Sequence, residues 1–303
     1  MYFTQLPDHT KPGFNEQLHF SRFQNQNIIF NAWSKQAGCD NHVGCLSFKT
    51  VLAGEECYGI GGRQIAVRPG QFLILNDDQP YSCRIHKNTS ARILSLFFKK
   101  EFAREVFADT TRGDAASIDD PDPAGKDSIE FFQTLYPVEP ELQRQLNSFL
   151  LHLDIQDYNG DATDEYFIFF LRHLIRTHRS QLTHAARVNA LKPVTRREIF
   201  KRLCIAKDLL QSSYGEPLDL RTIAKAACLS TPQLVRQFRA AFNTTPHRYL
   251  VNLRLDHAAR LLKTSTLPVL EIAGQCGFED PSAFCRAFKT AHGLQPERYR
   301  KHQ

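Results

Sequence analysis

Residues 220–250 read LRTIAKAACLSTPQLVRQFRAAFNTTPHRYL, and residues 269–299 read VLEIAGQCGFEDPSAFCRAFKTAHGLQPERY. The second stretch is an imperfect copy of the first. Ile223-Ala224 recurs 49 residues later as Ile272-Ala273, whereas the other matches recur 50 residues later. Those matches are Leu234 with Phe284, Phe238 with Phe288, Arg239 with Lys289, Pro246 with Pro296, Arg248 with Arg298, and Tyr249 with Tyr299. The second copy therefore has one extra residue, and it falls where the turn is expected.

Each copy predicts a short helix, a tight turn and a second helix. In the first copy, Ser230 stands where it can cap the second helix. In the second copy, Gly277 marks the turn, and Asp280 precedes a helix that begins at Pro281. The repeat therefore predicts two helix-turn-helix motifs.

The stretch between the two copies predicts a joining helix. It opens at Thr245-Pro246 and runs to about Leu262, with an apolar stripe along it. At 1.5 Å per residue this helix spans about 25 Å. A helix of that length can hold two recognition elements roughly one turn of DNA apart, about 34 Å, once their own widths are added.

Charge is distributed unevenly along the 303 residues. The net charge is only +6, but residues 1–190 carry 19 Lys and Arg against 23 Asp and Glu, and residues 191–303 carry 19 against 9. A basic compact segment beside an acidic one predicts that one half of the chain meets a polyanion. The 42% hydrophobic content predicts two packed domains, and excludes a disordered chain, a collagen and a disulfide-dense miniprotein.

Residues 1 to about 110 have the pattern of short strands. Glu56–Ile60 and Arg63–Val67 flank Gly61-Gly62, which is a two-residue hairpin signal. Further strands are predicted at Leu46–Leu52, Gln71–Leu75, Tyr81–His86 and Arg92–Phe98. This spacing favours a sandwich or a small barrel. The polar stretch between about 110 and 125 predicts a loop.

Two long helices are predicted after this loop, from Pro140 to about Asp157 and from Asp164 to about Leu182. Three roles remain open for this apolar-rich pair. It can cover the β core, pair two copies of the chain as a homodimer, or couple the two domains.

Residues 196–303 resemble the DNA-binding domain of the AraC/XylS family of bacterial transcription regulators. The resemblance lies in two ordered sets of residues. They are Ile223-Ala, Leu234, Phe238-Arg, Pro246-x-x-Tyr249-Leu, Arg254-Leu, Ala258 and Leu261-Leu, then Ile272-Ala, Gly277-Phe278-x-Asp280, Phe284, Arg286-x-Phe288-Lys289, Gly293 and Pro296-x-x-Tyr299-Arg300. One position departs from the family, whose first turn often has Gly where this chain has Cys228.

The first half resembles the cupin-like sensor barrel that many members of this family place before the DNA-binding domain. The matching segments are Gly54–Ile60, Gly62-Arg63, Pro69–Leu75 and Asp78-x-Pro80. Such a barrel implies an unknown small-molecule effector, and the sequence assigns no residue to it. The expected fold is a two-domain α+β chain, with a cupin-like β-barrel at 1–125, a helical connector at 126–195 and an all-α DNA-binding domain at 196–303.

Seven side chains are predicted to face DNA. Arg can fork onto guanine and Gln onto adenine in the major groove. Arg236 and Arg286 match positions that contact bases in this family. The other candidates for base contact are Gln233, Gln237 and Ser282, and Arg239 and Lys289 are assigned to phosphates or solvent. Arg254 is expected to be structural.

One local cluster suggests a metal. Cys39-x-x-His42-x-x-Cys45 places three soft ligands within seven residues, with Cys57 twelve further on. The alternative is that these are ordinary strand-edge residues. The H-x-H set of catalytic cupins is missing, as are a nucleophile elbow, a P-loop and a dinucleotide fingerprint. The chain is therefore expected to be no enzyme and to need no cofactor.

The expected function is transcription regulation on double-stranded promoter DNA, with RNA polymerase and a small effector as further partners. Neither a secretory signal nor a membrane span is evident, so a cytoplasmic protein with reduced cysteines is expected. Two alternatives stay open. One is a ligand-independent regulator whose barrel only packs or dimerises, and the other is a metal- or thiol-dependent sensor or enzyme fused to DNA-binding helices.

Overall fold

A computed structural model describes residues 1–7, 18, 21, 25–35, 38–86, 89–112, 129–156 and 160–301. The chain divides into two compact units, residues 1–183 and residues 184–303. This division differs from the expected boundaries at residues 125 and 195, because the helices assigned to a connector pack with the β unit. Most of the loop predicted at 110–125 lies outside the described residues.

Within the described residues, the N-terminal unit contains ten strands in two sheets. They are β1 Tyr2–Phe3, β2 Ile28–Lys35, β3 Gly38–Val43, β4 Ser47–Ala53, β5 Glu56–Ile60, β6 Arg63–Val67, β7 Gln71–Leu75, β8 Pro80–Arg84, β9 Ser90–Phe97 and β10 Leu135–Pro137. The six-stranded sheet has the order β1-β2-β9-β4-β7-β10, and the four-stranded sheet has the order β3-β8-β5-β6. All neighbours are antiparallel except β1 and β2.

The N-terminal unit also contains α1 Lys100–Arg112, α2 Pro140–Gln156 and α3 Gly160–Ala186, and the last residues of α3 belong to the second unit. Strand β7 shows how the layers stack. Phe72 and Ile74 pack with α2 and α3, whereas Leu73 and Leu75 pack toward the four-stranded sheet. The six-stranded sheet is therefore buried on both faces, which explains the unbroken apolar run of β7.

The helix pair covers the β core, one of the three roles considered for it. Phe149 of α2 and Phe170 of α3 lie with their ring centroids 5.5 Å apart, and Phe170 stacks on Phe48 of β4 at 5.8 Å. All three side chains are fully buried. Among the described residues, no helix is long and apolar enough to cross a membrane.

The second unit is entirely helical within residues 184–301. Its helices are α4 Pro193–Ser212, α5 Leu220–Ala226, α6 Thr231–Phe242, α7 Pro246–Thr264, α8 Val269–Gln275, α9 Pro281–His292 and α10 Pro296–Lys301. Helices α5 and α6 form the first predicted helix-turn-helix, α8 and α9 form the second, and α7 joins them. The two-domain α+β fold is confirmed.

Candidate nucleic-acid interface

The second helix of the first motif, α6, begins with a capping box. Ser230 Oγ accepts a hydrogen bond from the backbone N–H of Gln233 at 3.4 Å, and Gln233 Oε1 accepts from the backbone N–H of Ser230 at 3.2 Å. Pro232 lies in the first turn, where the missing N–H is not needed. The capping box therefore specifies Thr231 as the first residue of α6.

Helix α9 of the second motif begins in the corresponding way. Asp280 Oδ1 accepts from the backbone N–H of Ser282 at 2.8 Å, and Pro281 is the first helical residue. The two helices also end alike, in a left-handed residue: Asn243 after α6 and Gly293 after α9. Both helices thus have 12 residues with defined ends.

The turns inside the two motifs share a backbone conformation. Cys228 has φ +51° and Gly277 has φ +78°, so both occupy the left-handed region. Glycine adopts it freely, whereas cysteine pays a steric cost of about 1–2 kcal/mol. The first turn therefore has the same left-handed backbone as the second, although cysteine stands in place of glycine.

Arg254 of α7 is structural, as predicted. Its Nη2 donates to the carbonyl oxygen of Glu216 at 2.9 Å, and its guanidinium lies 5.9 Å from the ring centroid of Phe278. Burial lowers the pKa of Arg254. The residue thus connects α7 with the segment before α5 and with the turn of the second motif.

On both second helices, a buried aromatic row faces the core and basic residues face solvent. Phe238 on α6 and Phe288 on α9 are fully buried. On the other side lie the exposed basic residues Arg236 and Arg239 on α6, and Arg286 and Lys289 on α9. Among the described residues, one of these four forms an ion pair, a long one of 3.9 Å between Arg286 Nη2 and Asp280 Oδ2. These side chains are free to meet phosphates or base edges.

Gln233 and Ser282 are both exposed at the start of their helices. The capping box holds Gln233, whose Oε1 also accepts from Ser230 Oγ at 3.1 Å. The backbone N–H of Ser282 donates to the Asp280 cap, and Ser282 is exposed. Both residues remain candidates for DNA contact.

Gln237 must be reassigned. Its side chain is only 4% exposed, with Oε1 accepting from the backbone N–H of Asn189 at 2.9 Å and Nε2 donating to the carbonyl oxygen of Asn189 at 3.1 Å. A glutamine that pairs with both groups of a peptide is occupied as donor and as acceptor. The helical spacing placed it on the outer face, but Asn189, 48 residues earlier, covers it.

The suggested cluster of Cys39, His42 and Cys45 does not converge on a metal site. Cys45 belongs to a buried apolar cluster, and His42 is buried with its ring 4.9 Å from that of Tyr81. A bulge in β3 falls between Cys39 and His42 and breaks the sequence spacing. Within the described residues, the metal-capable group is a different one, Glu55, Cys57 and His86.

Two capped helix-turn-helix motifs with basic outer faces, joined by one helix, define a DNA-binding domain. Residues 223–302 match the family described as "Helix-turn-helix domain". The Msm operon regulatory protein of Streptococcus mutans is 35% identical over 95 residues, which cover 31% of this chain and 34% of that protein.

Two solved structures each match about a third of the chain. The DNA-binding domain of AdpA in complex with a target DNA is 33% identical, covering 33% of this chain and 90% of that chain with a TM-score of 0.32. A transcriptional regulator from Chromobacterium violaceum, which is named among AraC-type DNA-binding domain-containing proteins, is 29% identical. The match covers 33% of this chain and 89% of that chain, with a TM-score of 0.32.

Residues 223–302 in the C-terminal unit are a helix-turn-helix domain, as the resemblance found in the sequence implies. The matches to the curated relatives extend over only part of each relative's length. The chain spans about a quarter to two-fifths of the length of the first four curated relatives it matches.

Proposed function

We propose that the chain is a sequence-specific regulator of transcription, not an enzyme, and that α6 and α9 read successive major grooves of promoter DNA. The equivalence of Arg236 and Arg286 carries the proposal. Each is the sixth residue of its helix, each is exposed, and each precedes a buried phenylalanine by two positions. Two arginines presented alike by two capped helices fit a bipartite DNA site.

The other side chains divide by role. Gln233 and Ser282 stand at the N-terminal ends of the two helices, where recognition helices contact base edges. Arg239 and Lys289 lie toward the C-terminal ends and are assigned to phosphates. The 19 residues of α7 span about 28 Å. Together with the widths of α6 and α9, this length suits half-sites one DNA turn apart.

The relatives support this role. The curated proteins that match the C-terminal unit include several named as transcriptional regulators, among them MtrA of Neisseria gonorrhoeae. The charge does so too, because residues 191–303 carry 19 basic against 9 acidic side chains. A basic surface supplies the salt-dependent attraction to phosphates on which specific contacts build.

Selection of bound sequences from a random duplex library, with the full chain as bait, tests the proposal. We expect enrichment of two short motifs whose centres lie about 10 base pairs apart. Footprinting of the enriched sequence in the genome would then name the regulated promoters. Recovery of sequences no different from the input library would contradict the proposal.

We place the effector site in a small cavity between the two sheets. Its volume is about 60 Å³, and its lining includes Lys49, Glu56, Tyr58, Tyr81 and Phe97. Lys49 is only 3% exposed, and its Nζ lies 3.5 Å from the ring centroid of Phe97. Burial lowers the pKa of Lys49 to about 8, so at neutral pH the ammonium form predominates.

A buried carboxyl group lines the same cavity. Glu56 is buried, its Oε2 accepts from the hydroxyl of Tyr58 at 2.6 Å, and burial raises its pKa. A buried cation is costly unless it is paired, and an anionic ligand in the cavity would pair with Lys49. We therefore assign to this cavity a small effector with a negatively charged group.

In this scheme the effector changes promoter occupancy or contact with RNA polymerase, which requires that it bind two states of the chain differently. Thermal shift with a panel of small carboxylates, on wild type and Lys49→Met, tests the cavity. A hit that raises the melting temperature of the wild type alone supports it. No hit, together with unchanged promoter activity of the isolated C-terminal unit, would favour a regulator whose barrel only packs or dimerises.

A homodimer through α2 is a further part of the proposal. Leu151 and Ile155 are apolar, 61% and 76% exposed, and four residues apart on one helical face. Sedimentation of wild type and Leu151→Asp is the test: the variant should shift to monomer, and a wild type that is monomeric at micromolar concentration contradicts a dimer.

A further inference from the structure

Three side chains able to bind a metal meet at one end of the four-stranded sheet. Strands β5 and β8 pair with Cys57 opposite Arg84 and Tyr58 opposite Cys83. If the same antiparallel register is extended two residues beyond the Cys57–Arg84 pair, Glu55 lies opposite His86. Alternate residues of a strand share a face, so Cys57 lies on the same face as Glu55, while Glu56 and Tyr58 point to the buried interior.

The distances fit one tetrahedral ion. Cys57 Sγ lies 3.4 Å from His86 Nε2 and 3.6 Å from Glu55 Oε1, and all three ligand atoms lie within 4.8 Å of one another. Zinc binds sulfur at about 2.3 Å and nitrogen or oxygen at about 2.0–2.2 Å, so the edges of its coordination tetrahedron measure about 3.3–3.6 Å. Two of the three edges already have this length.

The carboxylate is also held in place. Arg68 Nε contacts Glu55 Oε2 at 2.5 Å, which leaves Oε1 directed at Cys57. Outer partners of this kind orient the ligands of metal sites.

We propose that Glu55, Cys57 and His86 form a site for a zinc-like divalent cation on the outer face of the four-stranded sheet, with water or a small ligand in the fourth position. One sulfur, one nitrogen and one oxygen ligand select zinc over magnesium or calcium, which require several oxygens. The site goes beyond DNA reading and is separate from the cavity that contains Lys49.

Titration of the chelator-treated full chain with Co²⁺, under a non-thiol reductant, tests this site. Thiolate coordination gives cobalt a charge-transfer absorption in the near ultraviolet. We expect that band to saturate at one equivalent and to disappear when Zn²⁺ is added. Cys57→Ser should lose the band, and His86→Ala should weaken Zn²⁺ binding at least tenfold.

Two controls separate this site from other thiols. Cys228→Ser removes an exposed cysteine of the other unit and should leave cobalt and zinc binding unchanged. Cys39→Ser, from the cluster suggested by sequence spacing, should also leave them unchanged. Circular dichroism of each variant establishes that it is folded. The absence of a thiolate band in wild type, or a band that survives Cys57→Ser and is lost in Cys39→Ser, would overturn the proposal.

Discussion

Arg254 Nε donates a hydrogen bond to the carbonyl oxygen of Tyr214, 2.7 Å away, and so ties the joining helix α7 to the segment between α4 and α5. Gly277 lies beside the same guanidinium. A Cβ atom at Gly277 would stand 2.9 Å from Arg254 Nη2 and 2.9 Å from the carbonyl oxygen of Gly215. The turn of the second motif thus packs on Arg254, with no room for a side chain.

Gly277→Ala should therefore destabilise the C-terminal unit by about 2–4 kcal/mol, the sum of strain at positive φ and of crowding. Urea unfolding followed by helical circular dichroism measures this, while the fluorescence of Trp33 reports the N-terminal unit. Gly293→Ala is the matched control: its φ is +76°, but nothing lies within 4 Å of a Cβ there. We expect it to cost only about 1–2 kcal/mol. Equal losses would refute the crowding by Arg254 and Gly215.

Cys228→Gly should stabilise the same unit by about 0.5–1 kcal/mol. Relief of the left-handed strain gains about 1–2 kcal/mol, and the extra freedom of glycine in the unfolded chain offsets part of it. Cys228→Ser retains the strain and should change stability little. A destabilised Cys228→Gly variant would show that the turn is not strained.

Gln237→Ala should lower stability by about 1–3 kcal/mol, since the backbone groups of Asn189 lose both partners. Affinity for a specific site and for random duplex should then change by the same factor. A selective loss on the specific site, measured by fluorescence anisotropy, would restore Gln237 to the base-contacting set.

The N-terminal unit should weaken in mild acid through His173. Burial is the main cause that lowers the pKa of His173 to about 4. Arg176 is the second cause, because its Nη2 lies 2.9 Å from His173 Nδ1. The unfolded chain takes up this proton below about pH 6.5, the folded chain only below about pH 4. The contribution of His173 to the free energy of unfolding is therefore fully present at pH 7. It is lost as the pH drops from 6.5 to 4, by on the order of 2–3 kcal/mol.

Urea unfolding at pH 7 and at pH 4.5, followed by Trp33 fluorescence, measures that loss. His173→Gln cannot titrate, so its stability should differ less between the two pH values, whatever the substitution costs at pH 7. An identical difference in the variant would assign the acid sensitivity to other groups.

Local signals predicted much of the fold. The hairpin of β5 and β6 has the bounds expected around Gly61-Gly62, and β7 spans the predicted Gln71–Leu75. Turn glycines and apolar runs act over a few residues, so they can be interpreted without tertiary information. Helix α3 runs from Gly160 rather than Asp164, and its packing on the six-stranded sheet was only one of several options, because an apolar helix face does not specify its partner.

The candidate sites divide in the same way. The internal repeat predicted the helix caps and the exposure of Arg236 and Arg286, because helical spacing depends only on neighbouring residues. It failed at Gln237, whose burial depends on Asn189, 48 residues earlier. The trio of Glu55, Cys57 and His86 also depends on a long-range contact, the pairing of β5 with β8. The signal for it was the strand register, which the sequence alone did not specify.

The most direct test of the central claim is the binding of Arg286→Ala to its selected DNA site and to a scrambled duplex at the same salt concentration. If Arg286 reads a base, the variant should lose about 1–3 kcal/mol, roughly 5- to 150-fold in Kd, on the selected site and much less on the scrambled one. Lys289→Ala is the matched control and should weaken both to a similar extent. Equal losses on the two duplexes for Arg286→Ala would place this residue on the phosphate backbone and contradict its role in sequence recognition.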